Sequence, residues 1–244
     1  CISLWTFRGL GEELEETHSE FSRIHTKLNK QYQKDKRDVA MLQPVVYLSH
    51  GGGPLPLMGR QPVLADGLKA LGVKLMKNPP SCIVMVTAHW EENFIGVSSS
   101  ASPGMLFDYF GFPPDTYKYS YNAPGSPAIA EEIVHTLRTQ GIESKLDGKR
   151  GFDHGTFIPL MLMFPQAQIP VVQMSIHTSM DPNFHFQVGK ALKPLRAKNC
   201  LILGSGSSFH NMQAFFNPSI QFFQQAQAFD SWLQSSVKLP PEER

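Results

Sequence analysis

The apolar residues of this chain are concentrated in four short runs, each followed closely by a histidine. The runs VVYLS, CIVMVTA, PVVQMSI and CLILGSGSSF lead in turn to His50, His89, His177 and His210. Runs rich in Val and Ile and bounded by Gly, Pro and Asn predict strands buried on both faces, as in a parallel sheet. Parallel strands end at one edge, where α/β proteins bind ligands, so we expect these histidines to converge there.

Helical patterns separate the strands, and the alternation predicts a single α/β domain with a mainly parallel central sheet flanked by helices. The predicted helices cover about 63–76, 127–138, a segment after Asp153, 183–197 and 219–237. The segment 107–127, FDYFGFPPDTYKYSYNAPGSP, has too much Pro, Gly and aromatic content for a regular element. We expect an ordered loop there that lines a pocket for a planar ligand.

The first forty residues differ from the rest of the chain. An acidic block over 12–20 precedes a basic block over 23–37, with apolar residues near one helical face. We predict that residues 1–40 form a charged helical or flexible extension and that residues 41–244 form the α/β domain. The chain begins with Cys1 rather than Met, so we expect a fragment or a processed form.

Composition narrows the partners of this 244-residue chain. A net charge of +1, without a Lys/Arg stripe, argues against nucleic acid or an anionic membrane and favours a small molecule. The chain contains no run of about 20 apolar residues, the length that a membrane span needs. Three scattered cysteines predict a reducing, cytoplasmic setting. For the assembly, we expect a monomer or a small homo-oligomer.

The strongest candidate for chemistry is His50, because Gly51, Gly52 and Gly53 follow it and allow a sharp turn close to a ligand. Neutral imidazole is a common transition-metal ligand and a common general acid or base. A phosphate-binding loop is the competing interpretation, but the run lacks the Lys-Ser/Thr ending of a P-loop. His89, in TAHWE, is a second candidate, with a backbone-bonded strand-end histidine as its alternative.

Two further histidines are candidates. His154 lies in GFDHGT, where Asp153 can either orient its imidazole or simply cap a helix. His210 lies on a small-residue loop, which suits a mobile acid or base. His177 has weaker surroundings, and His185 is predicted to pack between aromatic neighbours with a satisfied nitrogen. A serine or cysteine triad is not expected, because no G-x-S-x-G motif and no cysteine in an electropositive loop is present.

Several motifs in a fixed order resemble the class III extradiol ring-cleavage dioxygenases, in particular the 4,5-DOPA dioxygenase-like branch. The motifs, which cover about residues 44–235, are SHGGGP, TAHWE, FGFP with YNAPGSPA, GFDHGT, PVVQMSI, HFQVGKALKPLR and SGSSFHN. The resemblance implies an oxidoreductase of aromatic compound metabolism that opens a catechol ring with O2 at one non-haem metal. The implied metal is Fe(II), with Zn(II) possible.

By the same resemblance, His50 and His89 are metal ligands. His210 is the acid–base histidine and is counted as a ligand as well in some relatives, and His154 contacts substrate or oxygen. The family's third ligand lies in a segment beyond the helix that is predicted to end near Val237, and we expect that segment to be missing from this chain. Two alternatives follow: a metal-binding but catalytically incomplete family member, or a zinc-dependent hydrolase.

Overall fold

In the computed structural model, the residues described are Lys27, 42–211, 213–214 and 217–240. The predicted extension over residues 1–40 therefore lies almost entirely outside the described residues. Within them, six strands form one sheet, in the order β1-β6-β2-β5-β3-β4. The strands are β1 (Val45–Ser49), β2 (Cys82–Glu92), β3 (Ile95–Ser98), β4 (Ser144–Asp147), β5 (Val171–His177) and β6 (Cys200–Gly206).

Four of the strands correspond to the four apolar runs and pair in parallel, as predicted. β6 lies between β1 and β2, and β2 pairs on its other side with β5. β5 and β6 are almost completely buried on both faces, which explains their near-continuous apolar sequences. The carboxyl ends of the four parallel strands therefore lie at one edge of the sheet. All four histidines lie at or close to that edge.

Two short strands, β3 and β4, extend the sheet and were not predicted. They pair with each other in parallel, and β3 contacts β5 in the antiparallel sense through Val97 and Met174. β2 is also longer than predicted, so His89 lies inside this strand rather than beyond its end. The pairing of β2 with β5 shifts register between Val86 and Glu91, and His89 lies within this irregular stretch.

Among the described residues, four helices cover the faces of the sheet, and a fifth, the last in the chain, has no buried residue. They are α1 (Pro62–Leu75), α2 (Pro127–Thr139), α3 (His154–Met163), α4 (Pro182–Leu192) and α5 (Ile220–Ser236), with 3₁₀ turns at Pro114–Lys118 and Lys193–Lys198. One apolar core joins α1 and α3 to the sheet, and a second joins α2 and α4 to the opposite face. The predicted single α/β domain with a mainly parallel sheet is confirmed.

The helix ends follow ordinary capping chemistry. α3 begins after Asp153, whose carboxylate accepts a hydrogen bond from Thr156 N, and Pro127 occupies the first turn of α2 as predicted. Ser126, predicted to cap α2, makes no side-chain cap hydrogen bond. Among the described residues, no helix combines the length and the apolar character that crossing a membrane requires.

Candidate metal centre

Three imidazoles meet at the carboxyl edge of the sheet. His50 follows β1, His89 lies near the end of β2, and His154 is the first residue of α3. One ring nitrogen from each lies within 4.8 Å of the others. The prediction that histidines from separate strands converge is therefore met by His50 and His89, and the helix that begins at His154 brings the third.

The loop after β1 explains how His50 enters the cluster. Gly51 and Gly53 have φ values of +81° and +54°, a backbone conformation that side chains with a Cβ rarely adopt. A Cβ at Gly51 would also lie 2.6 Å from Cγ of the rigid Pro56 ring, so the turn needs the space that glycine leaves. This sharp turn leaves His50 buried at the strand end.

The nitrogens of His50 and His89 are unusually close, with 2.9 Å between the two Nε2 atoms. Two nitrogens bound at about 2.1 Å to one ion at a right angle would lie about 3.0 Å apart. The ring of His154 packs against both, with centroid distances of 3.9 Å to His89 and 5.1 Å to His50. The donor set is therefore suited to a single transition-metal ion that prefers imidazole.

Burial keeps the imidazoles of His50 and His89 neutral, which is the form that binds a metal. Burial, followed by the charges of His89 and His154, lowers the pKa of His50 to about 3. Burial is also the main cause that lowers the pKa of His89 to about 4, and His154 adds to it. Both side chains consequently carry free lone pairs at neutral pH.

A carboxylate that sequence reasoning did not single out lies behind this cluster. Asp108, in the aromatic loop, has its Oδ1 2.8 Å from His154 Nδ1 and accepts a hydrogen bond from His154 N at 2.9 Å. Its Oδ2 lies 3.7 Å from His89 Nδ1. Burial acts to raise the pKa of Asp108, but hydrogen bonding with His154 and the nearby imidazoles hold it below its ordinary value.

Asp153 has the helix-capping role, one of the two roles considered for it from the sequence. It caps α3, accepts a hydrogen bond from Thr87 Oγ1 at 2.9 Å, and pairs with Arg150 Nη2 at 3.2 Å. Arg150 Nη2 also donates to the carbonyl of His89 at 3.1 Å. The structure thus favours the helix-capping alternative: the Asp153 carboxylate fixes the backbone around His89, and Asp108 contacts the His154 ring.

The other predicted residues lie outside the three-imidazole cluster. His210 is exposed on the segment after β6, and its nitrogens do not belong to the group within 4.8 Å. Burial dominates the lowered pKa of His50 and His89, but the charge of His210 adds a smaller effect, so His210 is close enough to act electrostatically. Its predicted role as acid, base or ligand stays a prediction.

His177 and His185 lie outside the three-imidazole cluster and are joined by a hydrogen bond. His185 Nε2 accepts a hydrogen bond from His177 N at 3.0 Å, and His185 Nδ1 lies 2.8 Å from Asp181 O. The prediction of a packed His185 with satisfied nitrogens is confirmed. Beside His89 in the sequence, Trp90 is buried against Gly96 of β3, and Glu91 is exposed.

The aromatic loop forms the wall beside His154, as expected for an ordered segment. The ring centroid of Tyr109 lies 5.9 Å from that of His154, and Tyr109 Oη donates to Thr116 O at 2.6 Å. Phe107 and Tyr109 pack against each other, and each packs against Tyr117 and Phe157, edge-on or at a tilt. This buried group of rings therefore packs directly beside the His154 imidazole.

The protein is therefore an α/β domain whose clustered imidazoles, at the carboxyl edge of the sheet, could hold a metal ion. Comparison with known proteins then identifies the family. Residues 43–243 match the model described as the catalytic LigB subunit of aromatic ring-opening dioxygenase, and the chain belongs to this family. The predicted resemblance to class III extradiol dioxygenases of the 4,5-DOPA dioxygenase-like branch is confirmed.

Individual relatives agree with this family. The chain is 44% identical over 183 residues to a protein named dioxygenase tasH from Hapsidospora irregularis, covering 71% of this chain and 56% of that protein. It is 36% identical over 197 residues to a 4,5-DOPA dioxygenase extradiol from Beta vulgaris, covering 80% and 73% respectively. The namesake from Escherichia coli K12 is 38% identical over 176 residues, covering 70% and 61%.

A solved structure supports the fold as well. A crystal structure of an uncharacterized protein from Escherichia coli K12 matches with a TM-score of 0.52 and 35% identity, covering 62% of this chain and 55% of that one. The present chain thus spans between about half and three quarters of the length of these relatives.

Proposed function

We propose that this chain provides the metal site of an extradiol ring-opening dioxygenase that acts on a catechol, such as a DOPA-like diol, with O2. The observation that carries the proposal is the cluster of His50, His89 and His154, whose nitrogens converge beside an aromatic wall. Family membership supports aromatic ring opening. The proposal adds to this family activity a catechol as substrate, O2 as oxidant and a bound metal ion.

In this proposal, His50 and His89 hold the ion through their Nε2 atoms. Fe(II) bound there would supply a centre that accepts both catechol oxygens and O2 and passes electrons between them, whereas Zn(II) would bind without supporting that transfer. Burial keeps both imidazoles neutral, so each ring has one lone pair and metal binding requires no net loss of a proton from either ring.

The remaining residues act on the organic substrate. Tyr109 and its neighbours exclude water from one side of a flat ring. Nε2 of His154 points away from the hydrogen bond that Asp108 makes with Nδ1, so it is available to a substrate oxygen. His210, on its exposed loop, takes the phenolic proton when the diol binds and later returns a proton to the departing oxygen.

The test uses the full chain loaded with Fe(II) without oxygen, followed by L-DOPA and then air. We expect oxygen uptake together with a yellow ring-opened product, and loss of both with His210→Ala. His135→Ala is the matched control, because His135 is exposed on α2. Oxygen uptake that requires no catechol, or ester cleavage with Zn(II) in place of ring opening, would contradict the proposal.

A further inference from the structure

Behind the clustered imidazoles, the outer nitrogens of two rings have their own hydrogen-bond partners. His50 Nδ1 lies 2.8 Å from Ser205 Oγ, and His154 Nδ1 lies 2.8 Å from Asp108 Oδ1. A neutral imidazole has one N–H and one lone pair, so the partner of one nitrogen decides what the other can do. The two contacts therefore bear directly on which nitrogens can bind an ion.

Ser205 can act only as an acceptor toward His50. Its hydroxyl is buried in β6 and donates its single proton to the carbonyl of Gly155, the second residue of α3. The oxygen must then accept from His50 Nδ1–H, because a hydroxyl has one proton and two lone pairs. This arrangement leaves the lone pair of His50 on Nε2, the nitrogen 2.9 Å from His89.

Asp108 fixes His154 in the same way. Its Oδ1 accepts the backbone N–H of His154, and a carboxylate has no proton to offer the ring. His154 Nδ1 must then carry the proton that makes the 2.8 Å contact. The lone pair of His154 consequently lies on Nε2.

We propose that Ser205 and Asp108 are positioning residues that hold His50 and His154 as their Nδ1–H tautomers, so that both Nε2 lone pairs are ready for the metal or substrate. The inference rests on the proposed function for its purpose, but the tautomers themselves can be observed without metal or turnover. Partners of this kind orient ligand histidines in known metal sites.

The proposal has a consequence for His89. With a lone pair on His50 Nε2 only 2.9 Å away, His89 must present Nε2–H toward it in the metal-free protein. An ion bound by both histidines requires that proton to leave Nε2 and appear on Nδ1. Asp108 Oδ2 lies 3.7 Å from that nitrogen, beyond hydrogen-bond distance, but its negative charge favours an N–H on Nδ1. His89 is therefore expected to exchange tautomers when a metal binds, while His50 and His154 keep theirs.

The first measurement is long-range ¹⁵N–¹H NMR of the histidine rings in the full, metal-free chain, assigned with single histidine variants. We expect Nδ1–H signals for His50 and His154 and an Nε2–H signal for His89. Adding Zn(II) should change His89 alone among the three from Nε2–H to Nδ1–H. A wild-type His50 or His154 that carries its proton on Nε2 would overturn the proposal.

The second measurement is Zn(II) affinity by competition with a chelator. Ser205→Ala and Asp108→Ala should each weaken binding about 10–100-fold, the usual cost of removing such a partner. Asp108→Asn, which keeps an acceptor oxygen, should preserve the His154 tautomer and lose less affinity than Asp108→Ala. Matched controls are Asp115→Ala, an exposed acid in the same loop, and Ser235→Ala, exposed on α5.

The outcomes separate this inference from the proposed function. Wild-type Zn(II) binding that Ser205→Ala and Asp108→Ala leave unchanged would overturn the positioning roles and leave the metal site intact. If the wild-type chain binds no Zn(II), the proposed function fails, and the tautomers of the metal-free chain still decide the inference. Should an alanine variant fail to fold by circular dichroism, Ser205→Thr and Asp108→Asn test the same two roles.

Discussion

His50 Nε2 and His89 Nε2 lie 2.9 Å apart even though their strands are not neighbours in the sheet. β6 lies between β1 and β2, and its final residues Gly204, Ser205 and Gly206 are small. The two imidazoles therefore meet across the end of β6, where Ser205 contacts His50. Because their Nε2 atoms point to a common place, we expect the two histidines to act together on a single ion.

Loss of either imidazole should abolish tight metal binding. We expect His50→Ala and His89→Ala each to weaken Zn(II) binding by more than about 100-fold, exceeding the 10–100-fold cost typical of an outer partner. Isothermal titration of the metal-free chain measures the affinity. His135→Ala, on the exposed face of α2, should bind as the wild type does. A variant without His50 that binds Zn(II) normally would show that the ion lies elsewhere.

His154 is expected to matter more for turnover than for metal affinity. The centroid of its ring lies 3.9 Å from that of His89. The resemblance to extradiol dioxygenases, however, implies that His154 contacts substrate or oxygen. We predict that His154→Ala reduces catechol-dependent oxygen uptake by about 100-fold or more, in the range for a proton-transfer or positioning group. Its Zn(II) affinity should fall less than that of His50→Ala. Equal losses of affinity would instead make His154 a third ligand.

The buried imidazoles should make the stability of the metal-free protein depend on pH. Burial is the first cause that lowers the pKa of His50 to about 3 and that of His89 to about 4. Unfolded histidines have a pKa of about 6.5. Between about pH 4 and 6.5 the unfolded chain binds more protons, so the free energy of unfolding rises with pH there. This contribution is complete above about pH 6.5 and is lost as the pH falls.

Urea unfolding at several pH values between 4.5 and 7.5 measures this slope. Each histidine can contribute at most about 1.4 kcal/mol per pH unit. We expect His50→Ala to unfold with a shallower dependence below pH 6.5, whereas His135→Ala keeps the wild-type slope. Identical slopes in the wild type and His50→Ala would mean that His50 is not held in its neutral form by the fold.

Sequence patterns were sufficient to predict the parallel part of the sheet. The strands β5 and β6 are buried on both faces, so their sequences are nearly continuous apolar runs. β3 and β4 were missed since each has only four residues and one lies at the sheet edge. The long β2 was predicted only to residue 88, because its continuation to Glu92 has a single apolar residue, Trp90, among polar ones.

The site was predictable to the extent that histidines follow buried strands. His50 and His89 could be placed together because parallel strands share an edge. Asp108 could not, since it lies in an irregular loop whose path only tertiary contacts determine. The role of Asp153 could not be predicted either, because a helix cap and a partner of an imidazole have the same sequence signature. Only the fold shows that Thr87 and Arg150 donate hydrogen bonds to its carboxylate.

Gly155 is expected to be needed for the geometry around His89. A Cβ at this position would lie 2.6 Å from Thr87 Oγ1 and 3.0 Å from His89 Cδ2, and both groups are enclosed by the sheet and α3. Gly155→Ala should therefore lower the free energy of unfolding by about 1–3 kcal/mol, as overpacking does. Zn(II) affinity should fall with it, because the imidazole has to move.

Gly189→Ala is the matched control for Gly155→Ala. Gly189 also lies in a helix, α4, but a Cβ there would meet nothing within 4 Å. Alanine should raise the stability of that helix by up to about 1 kcal/mol and leave metal binding unchanged. Thermal unfolding of the two variants should thus shift in opposite directions. Shifts of the same sign would contradict the steric argument at Gly155.

Arg150 and Asp153 should stabilise the protein as a coupled pair. Asp153 is fully buried, and burial raises its pKa, but Thr87 and Arg150 both favour the ionised form. Arg150→Gln should cost about 3–5 kcal/mol, because it leaves a buried carboxylate without its cation. Asp153→Asn retains an oxygen that can cap α3 and accept from Thr87. We therefore expect the double variant to lose less free energy of unfolding than the sum of the losses of the two single variants.

A double-mutant cycle measured by urea unfolding gives the coupling energy of this pair. The exposed pair of Lys118 and Asp115, 2.8 Å apart, provides the control, since substitutions there should couple by less than about 1 kcal/mol. Additive losses at Arg150 and Asp153 would show that the charge is not stabilised by the pair. Arg150 also donates to the His89 carbonyl, so Arg150→Gln should weaken Zn(II) binding as well, whereas Lys118→Gln should not.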